Sequence, residues 1–315
     1  MTLVATPAAP IPDGAVCEWL SAEDGTQLRV ARWTPDRAKR GTVVFLNGRT
    51  EFIEKYFEVF RDLLARGFAV ASLDWRGQGL SDRALANPHK GHVSDFSLFI
   101  DDLDHVMQTF VLPTCPGPHV VLSHSMGGNI ALHYLSQHPD VFRAARFSAP
   151  MFGIGQASRP SRGAKFLASG AAAVGLSTTY VPFAGGDFGP ENSRFEGNAL
   201  TSDRARFERF TAQIEAEPRL ALGAPTLGWA QQAIASMDAL HEPGFAEAIQ
   251  TPIRVCCAGE DTLVSTPAQV EISRRLPKAK HVVIEGSRHE LLVEVDAYRD
   301  RMLGVFDELL DEVAI

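Results

Sequence analysis

The sequence has little of what nucleic-acid-binding or disulfide-rich proteins need. Its 30 lysines and arginines are outnumbered by 38 aspartates and glutamates, so the formal net charge is −8 and no basic binding face is expected. Four cysteines are present, and none of them forms a C-x-x-C pair, which argues against a zinc site or a disulfide framework. This use of cysteine is typical of a reducing compartment. The cysteines are Cys17, Cys115, Cys256 and Cys257.

Long apolar runs, leader signals and nucleotide motifs are also missing. No stretch reaches the roughly 18 uninterrupted apolar residues that a transmembrane helix needs. Residues 1–14 contain three prolines and no basic residue, which is unlike a secretory signal peptide. No strand is followed by G-x-G-x-x-G or a Walker loop, so we expect no cofactor and no nucleic-acid partner. These absences predict a cytoplasmic protein.

What the sequence does contain is an alternation of strands and helices. Short β-branched apolar runs alternate with helical patterns over residues 42–148, and the alternation returns over residues 253–313. This arrangement is typical of a parallel sheet covered on both faces. Residues 18–33 predict an antiparallel hairpin that turns at Asp24-Gly25.

The alternation stops between residues 151 and 249, where the chain is first rich in glycine, alanine and proline and then helical. The length of 315 residues is about twice that of a typical domain, which suits one α/β domain with an insertion. We therefore predict an α/β core over residues 1–150 and 250–315. Residues 151–249 are predicted to form a helical cap inserted after the sixth strand.

Ser125 is placed where a predicted strand turns sharply into a helix. The run Ser123-His124-Ser125-Met126-Gly127 approximates the G-x-S-x-G elbow, in which a strained turn raises the serine above the carboxyl edge of the sheet. Ser123 replaces the first glycine and should face the packed interior. A serine between small residues is often only part of a turn, but ligands bind outside the carboxyl ends of parallel strands, which favours catalysis here.

A catalytic serine needs a base and a carboxylate that orients the base. Asp261 and His289 each follow one of the last two predicted strands, so both should lie at the same sheet edge as Ser125. Glu260 is the neighbouring carboxylate, but its side chain should point the other way in an extended turn. His289-Glu290 begins an H-E-x-x-H pattern, but residue 293 is valine, so we expect no metal site.

A tetrahedral intermediate also needs hydrogen-bond donors for its oxyanion. The main-chain N–H of Met126, directly after Ser125, is one candidate. The second is the N–H of Arg49, because Gly48 lets the loop after the first parallel strand approach a substrate. An ordinary turn at Asn47-Gly48 is the alternative interpretation of this loop.

Other carboxylates near predicted strand and helix ends are assigned structural roles. Asp74 ends a strand but precedes the serine, so it is interpreted as structural. Asp101, Asp102 and Asp104 are interpreted as the solvated face of a helix.

Together with further segments, these motifs resemble the α/β-hydrolase superfamily, and within it the bacterial lysophospholipase and monoacylglycerol lipase branch. The resemblance runs from about residue 18 to residue 313. It implies the α/β-hydrolase fold, Ser125 as nucleophile, His289 as general base and acid, Asp261 as its partner, and Arg49 and Met126 as oxyanion donors. The departures are Ser123 for glycine and Asn47 where relatives often have histidine. The further segments are residues 74–81, 91–93, 149–152, 198–203 and 223–229.

The resemblance implies a serine hydrolase that cleaves carboxylic esters of single-chain lipids, either lysophospholipids or monoacylglycerols, through an acyl-enzyme. A small-ester hydrolase, an aminopeptidase-like amidase and a ligand-binding protein on a hydrolase scaffold stay open as alternatives. Met151, Phe152 and Phe166, at the apolar start of the insertion, are the candidates for the wall that binds the acyl chain. Transient contact of the cap with a membrane surface and the oligomeric state are both left open.

Overall fold

The computed structural model describes residues 3–36, 38–155 and 175–315. Its sheet has eight strands in the spatial order β1-β2-β4-β3-β5-β6-β7-β8. β1 pairs with β2 and β2 with β4 in antiparallel fashion, and all other neighbours are parallel. The predicted mostly parallel sheet and its leading hairpin are therefore confirmed. The strands are β1 Ala15–Ser21, β2 Gln27–Trp33, β3 Thr42–Leu46, β4 Ala69–Leu73, β5 His119–His124, β6 Ala144–Ser148, β7 Ile253–Ala258 and β8 Ala279–Ile284.

Helices flank the sheet, as the alternating pattern predicts. The longer ones are α1 Phe57–Ala65, α2 Ser97–Val106, α3 Met126–Gln137, α4 Arg204–Ala216, α5 Leu227–Leu240, α6 Thr266–Arg275 and α7 Asp296–Glu312. A π-helical turn, Met107–Val111, and the short helix Leu112–Thr114 continue α2. Single 3₁₀ turns are formed by Ile53–Tyr56, Pro190–Ser193, Pro218–Leu220, Ala246–Ala248 and Leu291–Val293. No helix in the described part of the chain is long and apolar enough to cross a membrane.

Two apolar cores lie on opposite faces of the sheet because successive side chains of a strand point to opposite faces. In β3, Val44 and Leu46 belong to the core beneath α2, α3 and α6, whereas Val43 and Phe45 belong to the core beneath α1 and α7. All four side chains are almost fully buried. Burial on both faces explains why this strand appears in the sequence as a continuous apolar run.

The segment between β6 and β7 contains α4 and α5, so the helical periodicity predicted there is confirmed. Its α4 packs on the core through Phe210, whose ring stacks on Phe52 with centroids 5.6 Å apart. α5 packs through Trp229 and Met237 into the same core as α2 and α3. Whether this segment acts as a cap stays a prediction. Residues 156–174, which include the predicted Phe166, lie outside the described residues.

One assignment made from the sequence is wrong. Asp102 was expected on a solvated helix face, but it is 1% exposed and binds Arg76 through two hydrogen bonds of 2.6 Å. Arg76 comes from the loop after β4, so the pair ties that loop to α2. Helical periodicity alone could not show that an arginine from another element covers this face.

Candidate active site

Ser125 occupies the tip of a strained turn between β5 and α3. Its φ of 50° and ψ of −116° lie in a region that residues other than glycine rarely adopt. The main chain around it is held on both sides, because Ser125 N–H donates to the Ser148 carbonyl at 3.0 Å and Met151 N–H donates to the Ser125 carbonyl at 2.9 Å. A Cβ atom on Gly127 would fall on the carbonyl oxygen of Leu46. The elbow therefore depends on glycine where α3 passes the end of β3.

Ser123 faces the interior, as predicted from its place within the strand. It is fully buried, and its hydroxyl has no hydrogen-bond partner among the described residues. Its Oγ lies 3.3 Å from where a Cβ atom on Gly128 would be. A small side chain is thus accommodated where the usual motif has glycine, but Gly128 itself must stay small.

His289 and Asp261 form a buried hydrogen-bonded pair. His289 Nδ1 and Asp261 Oδ2 are 2.7 Å apart, and both residues are about 5% exposed or less. Asp261 Oδ1 accepts hydrogen bonds from the main-chain N–H groups of Leu263 at 2.8 Å and Val264 at 3.1 Å. Burial tends to raise the pKa of Asp261, but the hydrogen bond and charge of His289, with these two N–H groups, hold it below its ordinary value.

Glu260, the competing carboxylate, takes no part in this pair. Its side chain is exposed, and its main-chain N–H donates to the Ser287 carbonyl at 2.9 Å. The structure therefore brings Asp261 rather than Glu260 to His289.

His124 connects the serine turn to the His289 loop. It precedes Ser125 directly, and its ring lies 4.7 Å from the ring of His289, centroid to centroid. His124 Nε2 is also 3.3 Å from the main-chain oxygen of His289. Ser125 and the His289–Asp261 pair consequently occupy one edge of the sheet, where β5, β7 and β8 end in parallel.

The two candidate oxyanion donors are at this same edge. Met126 is the first residue of α3, where main-chain N–H groups lack helical partners. In the loop after β3, Gly48 N–H donates to the Glu51 carboxylate and Thr50 N–H donates to Gln78 Oε1. Among the described residues, the N–H groups of Arg49 and Met126 donate no hydrogen bond. The arrangement leaves both N–H groups available for a substrate oxygen.

Of the three residues predicted to form the apolar wall, the structure describes Met151 and Phe152. Met151 is 4% exposed and Phe152 is fully buried, with the Phe152 ring packed edge-on against Phe147 at 6.1 Å. The Phe152 carbonyl accepts a hydrogen bond from His241 Nε2 at 2.9 Å. Phe152 thus belongs to the packed core in this structure, and a contact with substrate stays a prediction for both residues.

A buried charge cluster of Glu51, Lys55, His124 and Glu290 was not identified from the sequence. Lys55 Nζ lies 2.9 Å from Glu51 and 2.6 Å from Glu290, and His124 Nδ1 lies 3.1 Å from Glu51. All four residues are less than 10% exposed. The i, i+4 spacing of Glu51 and Lys55 was a signal for one of these pairs, but the contact with Glu290 is set by the fold.

The charges in this cluster compensate one another. Burial tends to raise the pKa of Glu51, but the charges of His124 and Lys55 lower it below its ordinary range. Burial tends to lower the pKa of Lys55, but Glu290 and Glu51 raise it. Burial also tends to lower the pKa of His124, but Glu51 raises it. These ion pairs join the loop after β3, the serine turn and the His289 loop.

Removal of Lys55 is expected to cost far more stability than removal of an exposed lysine. Lys55→Met leaves Glu290 without its cation and Glu51 with His124 as its remaining partner, which should lower the free energy of unfolding by about 3–5 kcal/mol. The control is Lys280→Met, which breaks an exposed ion pair with Glu312 and should change it by less than about 1 kcal/mol. Urea unfolding of the two variants measures both quantities. Equal losses would show that the buried cluster contributes no special stability.

The chain is similar to known proteins over most of its length. A family model described as serine aminopeptidase S33 matches residues 37–296. Lysophospholipase L2 of Escherichia coli K12 is 33% identical over 283 residues, covering 88% of this chain and 82% of the relative. Monoacylglycerol lipase of Mycolicibacterium smegmatis is 27% identical over 289 residues, covering 92% and 87%.

A solved structure also has the same fold. A soluble variant of monoglyceride lipase from Saccharomyces cerevisiae superposes with a TM-score of 0.74 at 17% identity, covering 95% of this chain and 96% of that one. The match of the family model across most of the chain, on a sheet with a serine elbow and a His–Asp pair at one edge, identifies this chain as a member of the serine aminopeptidase S33 family of α/β hydrolases.

Proposed function

We propose that this protein is a serine hydrolase that cleaves carboxylic esters of single-chain lipids through an acyl-enzyme. The observation that carries the proposal is the strained Ser125 elbow at the same sheet edge as the buried His289–Asp261 pair. A serine hydroxyl is a weak nucleophile, and a histidine held by a carboxylate is the usual means of activating it.

In the acylation step, Ser125 Oγ attacks the ester carbonyl while His289 Nε2 removes the proton. Nε2 is the nitrogen that takes this role because Nδ1 is hydrogen-bonded to Asp261. The negative charge of Asp261 stabilises the imidazolium that forms, and the N–H groups of Arg49 and Met126 stabilise the oxyanion. His289 then delivers the proton to the leaving alcohol.

In the deacylation step, water replaces the alcohol. His289 Nε2 removes a proton from the water as it attacks the acyl-enzyme, and the same two N–H groups hold the second oxyanion. Collapse of this intermediate returns the proton to Ser125 and releases the fatty acid. Every step uses groups that we propose to act together at one edge of the sheet.

The names of the relatives are the reason for proposing lipid esters rather than other esters as substrates. One relative is named a lysophospholipase and another a monoacylglycerol lipase, and both align over more than 80% of their length. Lysophospholipids and monoacylglycerols are both esters with one acyl chain. The substrate of this chain is proposed to belong to the same class.

The segment of residues 151–249 is proposed to be a cap over this edge. Its first end follows β6, whose last residue, Ser148, accepts a hydrogen bond from the Ser125 N–H, and its other end leads into β7 at the opposite edge of the sheet. It carries exposed apolar side chains at Leu176 and Phe183, which supports transient contact with a membrane surface. A cytoplasmic location stays a prediction from the use of cysteine.

Activity is expected to rise with the length of the acyl chain. Each methylene that the cap and core remove from water contributes up to about 0.8 kcal/mol, so kcat/KM should increase from acetate to medium-chain esters. The measurement uses p-nitrophenyl esters of increasing length below their micelle concentrations. A polar substitution at Met151 or Phe166 should flatten the increase. Fastest turnover of acetate would contradict the lipid proposal and leave a small-ester hydrolase.

An amide substrate is a second candidate, because the matching family model is described as a serine aminopeptidase. The same nucleophile and base serve ester and amide cleavage. Aminoacyl p-nitroanilides assayed beside the esters separate the two, and a higher kcat/KM on the anilides would favour the peptidase assignment.

A further inference from the structure

The side chain of Arg49 is an unusual feature of the proposed oxyanion loop. Its guanidinium projects toward the segment between β6 and β7, where Nη2 donates to the Gly223 carbonyl at 2.5 Å. The guanidinium carbon lies 5.2 Å from the ring centre of Trp229 in α5. Nε is shielded from solvent and has no hydrogen-bond acceptor among the residues that the structure describes. The cation is therefore positioned between the core and the proposed cap, and its Nε–H donates no hydrogen bond to the described residues.

No carboxylate neutralises this cation. Within the described ranges no aspartate or glutamate forms an ion pair with Arg49, and residues 1, 2, 37 and 156–174 contain neither residue type. Burial lowers the pKa of Arg49 to about 10, and Tyr180 offsets part of this effect. Even so, the side chain remains cationic at neutral pH.

Arg83 and Arg146 are largely buried cations that donate to main-chain carbonyls and a thiol. Two others are paired with carboxylates. Arg29 binds both Glu54 and Asp74 at 2.6–2.7 Å, and Lys55 binds Glu51 and Glu290. A buried cation without a counter-charge is costly, because it has lost water and gained no anion. Such a cost is offset when a ligand supplies the missing anion.

We propose that the guanidinium of Arg49 binds the phosphate of a lysophospholipid whose ester carbonyl lies at Ser125. This inference rests on the proposed function and chooses between its two substrate classes. Arginine presents a planar fork of N–H donors that matches phosphate oxygens. Monoacylglycerol has no anionic group and leaves the cation unpaired. The main chain and side chain of one residue would thus contact the two ends of the substrate's glycerol unit.

Arg83 provides a matched control. It is also a largely buried arginine whose pKa burial lowers to about 10, and it also donates to carbonyls of the segment between β6 and β7, at Arg219. Its Nη1 and Nη2 also donate to the carbonyls of Gly77 and Gly79. Arg83 therefore links the same parts of the chain with both of its terminal nitrogens bound to carbonyls.

The experiment measures a substrate ratio in wild type, Arg49→Met, Arg49→Lys and Arg83→Met. The two substrates are lysophosphatidylglycerol and 1-monoacylglycerol with the same acyl chain, both below their micelle concentrations. Any disturbance of the oxyanion loop affects both esters and cancels in the ratio of their kcat/KM values. Arg49→Met should lower the ratio on the order of tenfold to hundredfold, because a charge-assisted contact is lost. Arg49→Lys should lower it less, and Arg83→Met should leave it unchanged.

A second arm separates recognition of phosphate from recognition of the whole lipid. With an uncharged p-nitrophenyl ester as substrate, sn-glycerol 3-phosphate should inhibit wild type competitively and glycerol should not. Arg49→Met should abolish this inhibition. Inhibition by inorganic phosphate of equal strength would show a site for free anions and overturn the headgroup assignment.

The outcomes distinguish this inference from the proposed function. If wild type hydrolyses both lipids and Arg49→Met lowers both rates equally, Arg49 only supports the fold and the inference is wrong while the hydrolase proposal stands. If wild type hydrolyses neither lipid, the proposed function itself fails.

Discussion

Replacement of Ser125 by alanine is expected to lower esterase kcat/KM by about 10³-fold or more, whereas replacement of Ser123 should preserve most of the activity. The two hydroxyls lie two residues apart but in different environments. Ser125 is at the strained tip of the turn, and Ser123 is fully buried within β5 with no hydrogen-bond partner among the described residues. Steady-state hydrolysis of a p-nitrophenyl ester measures both variants.

Ser123→Gly is the sharper control, because it restores the first glycine of the usual elbow motif. It removes a buried hydroxyl that has no hydrogen-bond partner among the described residues. Activity should therefore stay within a few-fold of wild type. Retained activity in Ser125→Ala together with its loss in Ser123→Ala would show that the nucleophile is assigned to the wrong serine.

Asp261→Asn is expected to lower kcat/KM on the order of 10²–10⁴-fold while the protein remains folded. Asparagine keeps the size of the side chain but removes the charge that supports the His289 imidazolium. It also allows the wrong tautomer of His289, because an amide N–H can donate to Nδ1. Circular dichroism of the variant checks folding, and ester hydrolysis checks the rate.

The pH dependence of the pair follows from the same contacts. Because the pKa of Asp261 is held below its ordinary value, its contribution to stability is present above the ordinary carboxyl range and is lost as pH falls through the lowered value. Asp261 is thus ionised at neutral pH. Protonation of Asp261 therefore cannot account for a loss of kcat/KM near neutrality.

Glu260→Gln is the matched control for Asp261→Asn, since it changes the adjacent carboxylate in the same way. Its side chain is exposed and makes no contact with His289, so activity should change less than about twofold. A larger loss in Glu260→Gln than in Asp261→Asn would show that the wrong carboxylate is paired with the base.

The sheet edge at which a residue lies could be predicted from the sequence for residues that directly follow a strand. Parallel strands run in one direction, so their carboxyl ends meet at the same edge. Once β5, β7 and β8 are recognised as parallel, Ser125, Asp261 and His289 must lie at one edge. His289 and Asp261 do lie within hydrogen-bond distance at that edge, and their roles as base and acid stay a prediction. The glycine after Met126 marked the close approach of α3 to β3 in the same way.

Contacts between side chains that are distant in sequence could not be predicted. Lys55 and Glu290 are 235 residues apart, and neither residue type is usually buried. Asp102 was assigned to solvent because its helix shows an acidic face, but Arg76 from another loop covers it. In both cases tertiary partners reverse what local polarity indicates.

The apolar character of a residue also did not show whether it belongs to the hydrophobic core or to the wall that binds the acyl chain. Met151 and Phe152 come shortly after β6, which ends at Ser148, and their hydrophobic character suits either role. The structure packs Phe152 against Phe147 on the core face, because the main chain turns back toward Ser125 at this point. Only the path of the chain decides which way such a residue faces.

The most direct test of the account is covalent trapping of the nucleophile. Incubation with a fluorophosphonate, followed by intact-mass and peptide mass spectrometry, should give one adduct per chain located on Ser125. The Ser125→Ala variant should give none under the same conditions. A wild-type protein that binds lipid but forms no adduct, or forms it on another residue, would contradict the serine hydrolase assignment and favour a ligand-binding protein on this fold.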